Sequence, residues 1–280
     1  MAYCAKCGGL LPEGANFCHL CGTPVLVTET KHTTHQTFAV TGVPRLIVRN
    51  DCPGSVEVTP NPTPGQIVLD WDLNEPGYLE WNASQNGDVI TINCRARPGE
   101  FWPAVFSLGA SRANILLRVP KQVNLDLSCR FGSIEIEGVE STIVADTATG
   151  NLTFKNCSGS IDSRTHTGLI DFRNVNGRVT ARNSAGSIHF SGSLGGSGES
   201  WFRTRAGNIE LALTGEPSLS IDASSRVGRV NISPDLNPSQ LRSEQYTVGH
   251  RISCVLGIGN NRVFAETYTG VISIFAGRTR

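Results

Sequence analysis

From about residue 120 onward, apolar and polar residues alternate in short bursts, and nearly every burst follows a glycine: Gly132-Ser-Ile-Glu-Ile, Gly150-Asn-Leu-Thr-Phe, Gly168-Leu-Ile-Asp-Phe, Gly186-Ser-Ile-His-Phe, Gly207-Asn-Ile-Glu-Leu, Gly228-Arg-Val-Asn-Ile and Gly270-Val-Ile-Ser-Ile. Period-two alternation over so few residues predicts short strands with one buried face. The glycines at 132, 150, 159, 168, 177 and 186 are separated by multiples of nine. The nine-residue unit itself alternates between two kinds, A and B, so the repeating coil is about eighteen residues long and carries two strands.

The A strands give two apolar columns, Ile134, Leu152, Ile170, Ile188, Ile209, Val230, Ile272 and Ile136, Phe154, Phe172, Phe190, Leu211, Ile232, Ile274. The B strands give a large column (Leu125, Ile143, Ile161, Val179, Ile221, Val263) facing a small one (Leu127, Ala145, Ser163, Ala181, Ala223, Ala265). A third B column, Cys129, Thr147, Thr165, Asn183, Thr204, Ser225 and Thr267, predicts an inward polar ladder whose side chains hydrogen-bond from rung to rung. Rungs lie about 4.8 Å apart, and a single coil is too thin to bury its own face. The expected fold is therefore all-β, a β-solenoid or β-helix-like stack. Residues 37 to 120 read as a less regular opening section, and Pro234 to Arg251 as an excursion from the repeat.

The first 26 residues follow a different rule. Cys4 and Cys7 are separated by two residues, as are Cys18 and Cys21, and each pair is followed by a glycine, Gly8 or Gly22. Four thiolates at this spacing predict a closed structural Zn2+ site, one ion per chain, with the glycines taking the positive φ of each knuckle. So short a segment folds only with metal. The expected organisation is a zinc ribbon at 1–26, a linker at 27–36 and a strand-repeat domain at 37–280. His32 and His35 read as polar linker residues, because four cysteines already complete the site.

With 24 basic and 24 acidic residues the chain has no net field for nucleic acid, and none is expected as a partner. The ribbon carries only Lys6 against Glu13. No run reaches the eighteen apolar residues of a spanning helix. The start lacks the features of a secretory signal, and nine cysteines, an odd number, fit a reducing compartment. The expected location is cytoplasmic.

The run Val119-Pro-Lys-Gln-Val-Asn-Leu-Asp-Leu, the recurring Gly-x-Ile-x-Ile units and the closing Thr267-Tyr-Thr-Gly-Val-Ile-Ser-Ile resemble the bacterial putative-adhesin β-strand-repeat family, a domain of unknown function, over roughly Thr37 to Arg280. The resemblance implies a fold and supplies no catalytic motif. An N-terminal zinc ribbon is similar to those ahead of many bacterial accessory domains.

Two outward columns carry candidate chemistry. On the A face, Asp171, His189 and Glu210 are rung neighbours; such a column could do acid/base work or hold a metal, but opposite charges on adjacent rungs also simply stabilise a sheet, which is the reading preferred. On the B face, Arg164, Arg182 and Arg203, with Arg205 and Arg226, form a candidate partner-binding face, since planar guanidinium groups read carboxylates and phosphates. Local acids, Asp146, Asp162, Asp222 and Glu199, are the alternative partners of these arginines. The function expected is a non-enzymatic interaction scaffold whose partner is a protein or an acidic polymer. The alternative is a β-helix carbohydrate-active enzyme of polysaccharide lyase or hydrolase type.

Overall fold

The glycine-led bursts become strands because each Ile, Val or Phe of a column meets its equivalent on the neighbouring strand. A computed structural model of the chain describes residues 2–3, 6–11, 17–23, 31–74, 79–97 and 112–277. Two compact units divide the chain, Met1–Lys31 and His32–Arg280. The first holds the antiparallel pair β1 (Ala2–Tyr3) and β2 (Leu10–Leu11).

The second unit is all-β. Its opening strands are β3 (Lys31–Ala39), β4 (Arg45–Pro53), β5 (Val56–Pro60), β6 (Gln66–Asn74), β7 (Leu79–Asn86), β8 (Val89–Ala96) and β9 (Arg112–Val119). The repeat follows with β10 (Asn124–Phe131), β11 (Ile134–Glu137), β12 (Glu140–Thr149), β13 (Leu152–Lys155), β14 (Ser158–Thr167), β15 (Ile170–Ala185), β16 (Ile188–Leu194), β17 (Glu199–Ala206) and β18 (Ile209–Leu213). Last come β19 (Leu219–Val227), β20 (Val230–Ile232), β21 (Ser239–Gln245), β22 (His250–Leu256), β23 (Asn261–Thr269) and β24 (Ile272–Ala276).

Two parallel ladders organise these strands. The A ladder runs β9, β5, β11, β13, β15, β16, β18, β24, β20. The B ladder runs β8, β4, β10, β12, β14, β15, β17, β23, β19. Through the middle, rung partners are eighteen residues apart, as in Leu152↔Ile170↔Ile188. The column residues Phe154, Phe172 and Phe190 are buried, and the first two rings stack at 4.8 Å. Burying side chains of this size stabilises by about 1.5–3 kcal/mol each.

Stacking order departs from chain order at both ends. The β4–β5 pair lies between β8–β9 and β10–β11, so the opening section belongs to the same two ladders instead of forming a looser preface. At the other end, β23–β24, the last pair in sequence, lies between β17–β18 and β19–β20. Beyond these pairs three of the four ladder ends reverse direction, with β7 antiparallel on β8, β6 on β9 and β22 on β19, and β21 antiparallel on β22 in turn; among the described residues the A ladder ends at β20. The stretch expected as an excursion thus contributes β21 and part of β22, strands that cover an otherwise open parallel edge.

Two packing details differ from the columns as read. At the β17 level Ser200 occupies the large column and Phe202 the small one, both buried. The exchange conserves volume, because Phe202 reaches Phe190 at 5.5 Å while the Ser200 hydroxyl accepts from the Val179 N–H at 3.2 Å. From Thr147 onward the described residues of the inward polar column do not bond to one another. Thr147, Thr165 and Thr204 donate instead to the carbonyls of Gly132, Gly150 and Gly186, at 3.0, 3.2 and 3.0 Å, each on the preceding rung. The corner glycines explain why: Gly150 has φ +152°, and a Cβ there would fall 2.0 Å from the Gly132 carbonyl oxygen. This close approach leaves the carbonyl facing the interior, where a hydroxyl must satisfy it.

Candidate functional site

In the N-terminal unit, Gly8 and Gly22 have φ of +71° and +68°, turning the chain back after each cysteine pair. The sulfurs of Cys7, Cys18 and Cys21 lie within 4.8 Å of one another, with Cys7 and Cys18 at 3.6 Å. A tetrahedral ion with Zn–S bonds of about 2.3 Å sets its sulfurs about 3.8 Å apart, so this donor set fits zinc. Cys4 lies outside the described residues. Backbone bonds between Cys18 and Thr23 and between Gly22 and Cys18, both 2.8 Å, hold the second knuckle. Phe17 and Leu20 are exposed, so the described part of the unit has little core of its own.

In the second unit, β3 begins at Lys31, inside the segment read as linker, and His35 Nδ1 lies 2.7 Å from Asp70 Oδ1. Arg118 bonds to the other oxygen of the same carboxylate at 2.6 Å.

On the outer A face, Asp171, His189 and Glu210 are rung partners, as the register required. They do not act as one group. Asp171 is buried under its own strand neighbour Arg173, which donates to Oδ2 at 2.6 and 2.8 Å. His189 Nε2 lies 3.9 Å from Glu210 Oε2, beyond hydrogen-bonding distance. Further along, Lys155 pairs with Glu135. With the Asp171 carboxylate taken up by Arg173, the column reads as sheet stabilisation.

On the outer B face, successive rungs present Asp146, Arg164, Arg182, Arg203 and Glu266. Arg203 donates to Glu266 through Nε at 2.8 Å and Nη2 at 2.5 Å. Asp222, expected beside the arginines, is engaged by Arg251, and Glu199 lies 3.7 Å from Arg262. Arg164 and Arg182 are exposed, and among the described residues neither has a carboxylate within 4 Å. Arg205 and Arg226 are likewise exposed, without an acidic partner among the described residues, and Arg226 sits 5.6 Å over the ring of Tyr268.

Here the altered stacking order matters. It brings Glu266 and Tyr268 of β23 between Arg203–Arg205 of β17 and Ser224–Arg226 of β19, forming an open groove of about 830 Å³. Neither Glu266 nor Tyr268 stood out in the sequence. Thr267 between them, in register with the inward column, was the available signal. A second groove, of about 820 Å³, includes Arg49, Trp81, Asn82, Asn93, Arg95 and Arg97.

The remaining thiols are interior. Burial pushes the Cys129 thiol up to about 12 and Cys254 up to about 11, and it raises Cys157 as well. Cys52 and Cys94 face each other with sulfurs 3.7 Å apart; a hydrogen bond from Cys94 favours the Cys52 thiolate and holds the second proton on Cys94. Cys129, Cys157 and Cys254, whose protons burial retains, pack as small apolar groups.

No family model and no curated protein matches the chain. Solved structures resemble it at low identity. A "putative cell adhesion protein" from Clostridium sporogenes is 12% identical, with a TM-score of 0.40, covering 88% of this chain and 100% of its own. A "putative adhesin" from Bacteroides fragilis is 8% identical, with a TM-score of 0.38, covering 87% and 97%. A "putative lipid binding protein" from Parabacteroides distasonis is 8% identical, with a TM-score of 0.37, covering 89% and 98%. Among the described residues no helix is long and apolar enough to cross a membrane.

Proposed function

We propose that the protein is a non-enzymatic binding scaffold, in which a β-solenoid spanning 37–280 presents the arginine face Arg164, Arg182, Arg203, Arg205 and Arg226 to an acidic partner. The observation that carries this reading is the pair Arg164 and Arg182, rung neighbours and exposed, with no carboxylate within 4 Å among the described residues. Like charges on adjacent rungs cost stability. A face that tolerates this cost is suited to a partner that supplies the missing negative charge. The solenoid assignment is supported by the eighteen-residue offset of the middle rungs in both ladders.

Replacing Arg164 and Arg182 together by Gln should leave the thermal midpoint unchanged or slightly higher and should reduce retention of the partner. That retention should also weaken with salt, because exposed charge contacts are screened within about 10 Å at 0.1 M. A clear fall in stability, or unchanged retention, overturns the reading.

Cys4, Cys7, Cys18 and Cys21 are proposed to hold one zinc ion, whose role is to fold the ribbon at 1–26. The support is the sulfur spacing and the two glycine knuckles. Protein purified under reducing conditions should contain one zinc per chain, and chelation should unfold the ribbon while the remainder keeps its midpoint. Metal-free protein with a folded ribbon would refute the site. The odd number of cysteines favours a reducing, cytoplasmic setting.

A further inference from the structure

The groove between β17, β23 and β19 extends the arginine stripe and narrows the choice of partner. Its floor is closed: Thr204 and Thr267 spend their hydroxyls on the carbonyls of Gly186 and Gly207, each at 3.0 Å. Glu266, the one acid among its described lining residues, is neutralised by two bonds from Arg203. What remains open to a ligand is cationic and hydroxylic: Arg205 and Arg226, the phenol of Tyr268 between their rungs, and the hydroxyls of Ser184 and Ser224. Tyr268 is 53% exposed, so its ring offers an apolar surface to the groove.

The stripe enters this groove through Arg182, whose neighbours Asn183 and Ser184 line it. Arg164 and Arg182 are one rung apart, about 4.8 Å, while Arg205 and Arg226 stand two rungs apart with Tyr268 between them, about 10 Å. Such cations call for a ligand with oxyanions at regular intervals on a straight backbone. An extended acidic peptide presents same-side carboxylates every two residues, about 6.7 Å, and falls out of step with the rungs. In a straight, twofold chain of head-to-tail pyranose rings same-side groups recur every two rings, on the scale of the two rungs between Arg205 and Arg226, and the ring hydroxyls suit Ser184, Ser224 and Tyr268.

We propose that the groove binds an unbranched acidic polysaccharide lying along the stacking axis, with Arg205 and Arg226 gripping its oxyanions and Tyr268 packing against a sugar ring. This rests on the acidic-partner reading and specifies its chemistry. Planar guanidinium forks pair with carboxylate and with sulfate, so the same site could take either group.

The test is calorimetric titration of the full chain with oligogalacturonate, with cellulose sulfate and with poly-L-glutamate. Tight, salt-sensitive binding of one of the two polysaccharides is expected, and which one binds identifies the oxyanion. Arg205→Gln combined with Arg226→Gln should weaken it by roughly tenfold or more at an unchanged thermal midpoint. Arg95→Gln combined with Arg97→Gln, in the other groove, should not. Binding of poly-L-glutamate alone overturns the polysaccharide and leaves the acidic-partner reading standing. Equal losses in the two double variants overturn the site, since they would reflect charge alone. If none of the three polymers binds, the inference falls, and the partner reading is decided by the Arg164 and Arg182 variant.

Discussion

Ile209 and Ile272 are rung partners although sixty-two residues separate them in sequence, and on its other side Ile272 meets Val230. The C-terminal strand pair is therefore an interior layer of the stack. Removing everything after Leu256 would leave β17–β18 and β19–β20 facing a missing layer instead of trimming a terminus. We expect a cooperative loss of structure that includes β17 and β18, read by amide hydrogen exchange. Protection retained at Ile209 and Leu211 in the truncated chain would contradict this.

In the middle, where chain and stacking orders agree, a layer should be removable. Deleting Gly150–Thr167 puts Ile170 directly on Ile134 and should give a shorter folded protein. Deleting only Gly150–Ser158 sets B residues on A columns and opens cavities costing about 2–5 kcal/mol per large truncation. Urea midpoints of the two deletions should differ widely, and equal midpoints would refute the A/B alternation.

Gly150→Ala places a methyl group 2.0 Å from the Gly132 carbonyl at φ +152°, a backbone state that L residues rarely adopt. The rung must separate to accept it. We expect a loss of about 3 kcal/mol or more, measured by equilibrium unfolding. Gly215→Ala provides the contrast, since its φ is also positive, +76°, but no atom lies within 4 Å of the added Cβ. Its cost should be distinctly smaller.

Cys129 stands where four other rungs carry Thr, and its thiol lies 3.6 Å from the Gly54 carbonyl. Its folded pKa is raised from 9.0 to about 12, so above pH 9 the unfolded chain releases a proton that the folded chain retains. Stability must then fall as pH rises, by up to about 1.4 kcal/mol per unit from this group. Cys129→Thr should keep the midpoint near its neutral-pH value and flatten the decline between pH 9 and 10. An identical slope in the variant would show that Cys129 does not contribute.

The columns were legible because a two-residue period inside an eighteen-residue one leaves little freedom: a slip of one residue would turn Ile134, Leu152 and Ile170 outward. The order of layers at the ends was not legible. Val230 and Ile272 are both acceptable neighbours for Ile209, and periodicity says only which residues share a column. The break at Pro234–Arg251 signalled an irregularity without saying that the chain returns to an earlier level. The exchange of Ser200 and Phe202 escaped for a related reason, since only the summed volume of the two columns is constrained. At the outer faces, the sequence placed Asp171 beside His189 but could not show that Arg173, two residues along the same strand, takes the carboxylate.

Interleaving at both ends has a consequence for how such a molecule can change length over generations. A duplicated segment added beyond β8, β9 or β19 would arrive outside a reversed strand and find no parallel edge to join. A unit copied between Gly132 and Gly186 finds matching neighbours above and below, and leaves each end as it was. Lineages of this architecture should therefore vary in the number of central layers while their first and last layers stay fixed in number.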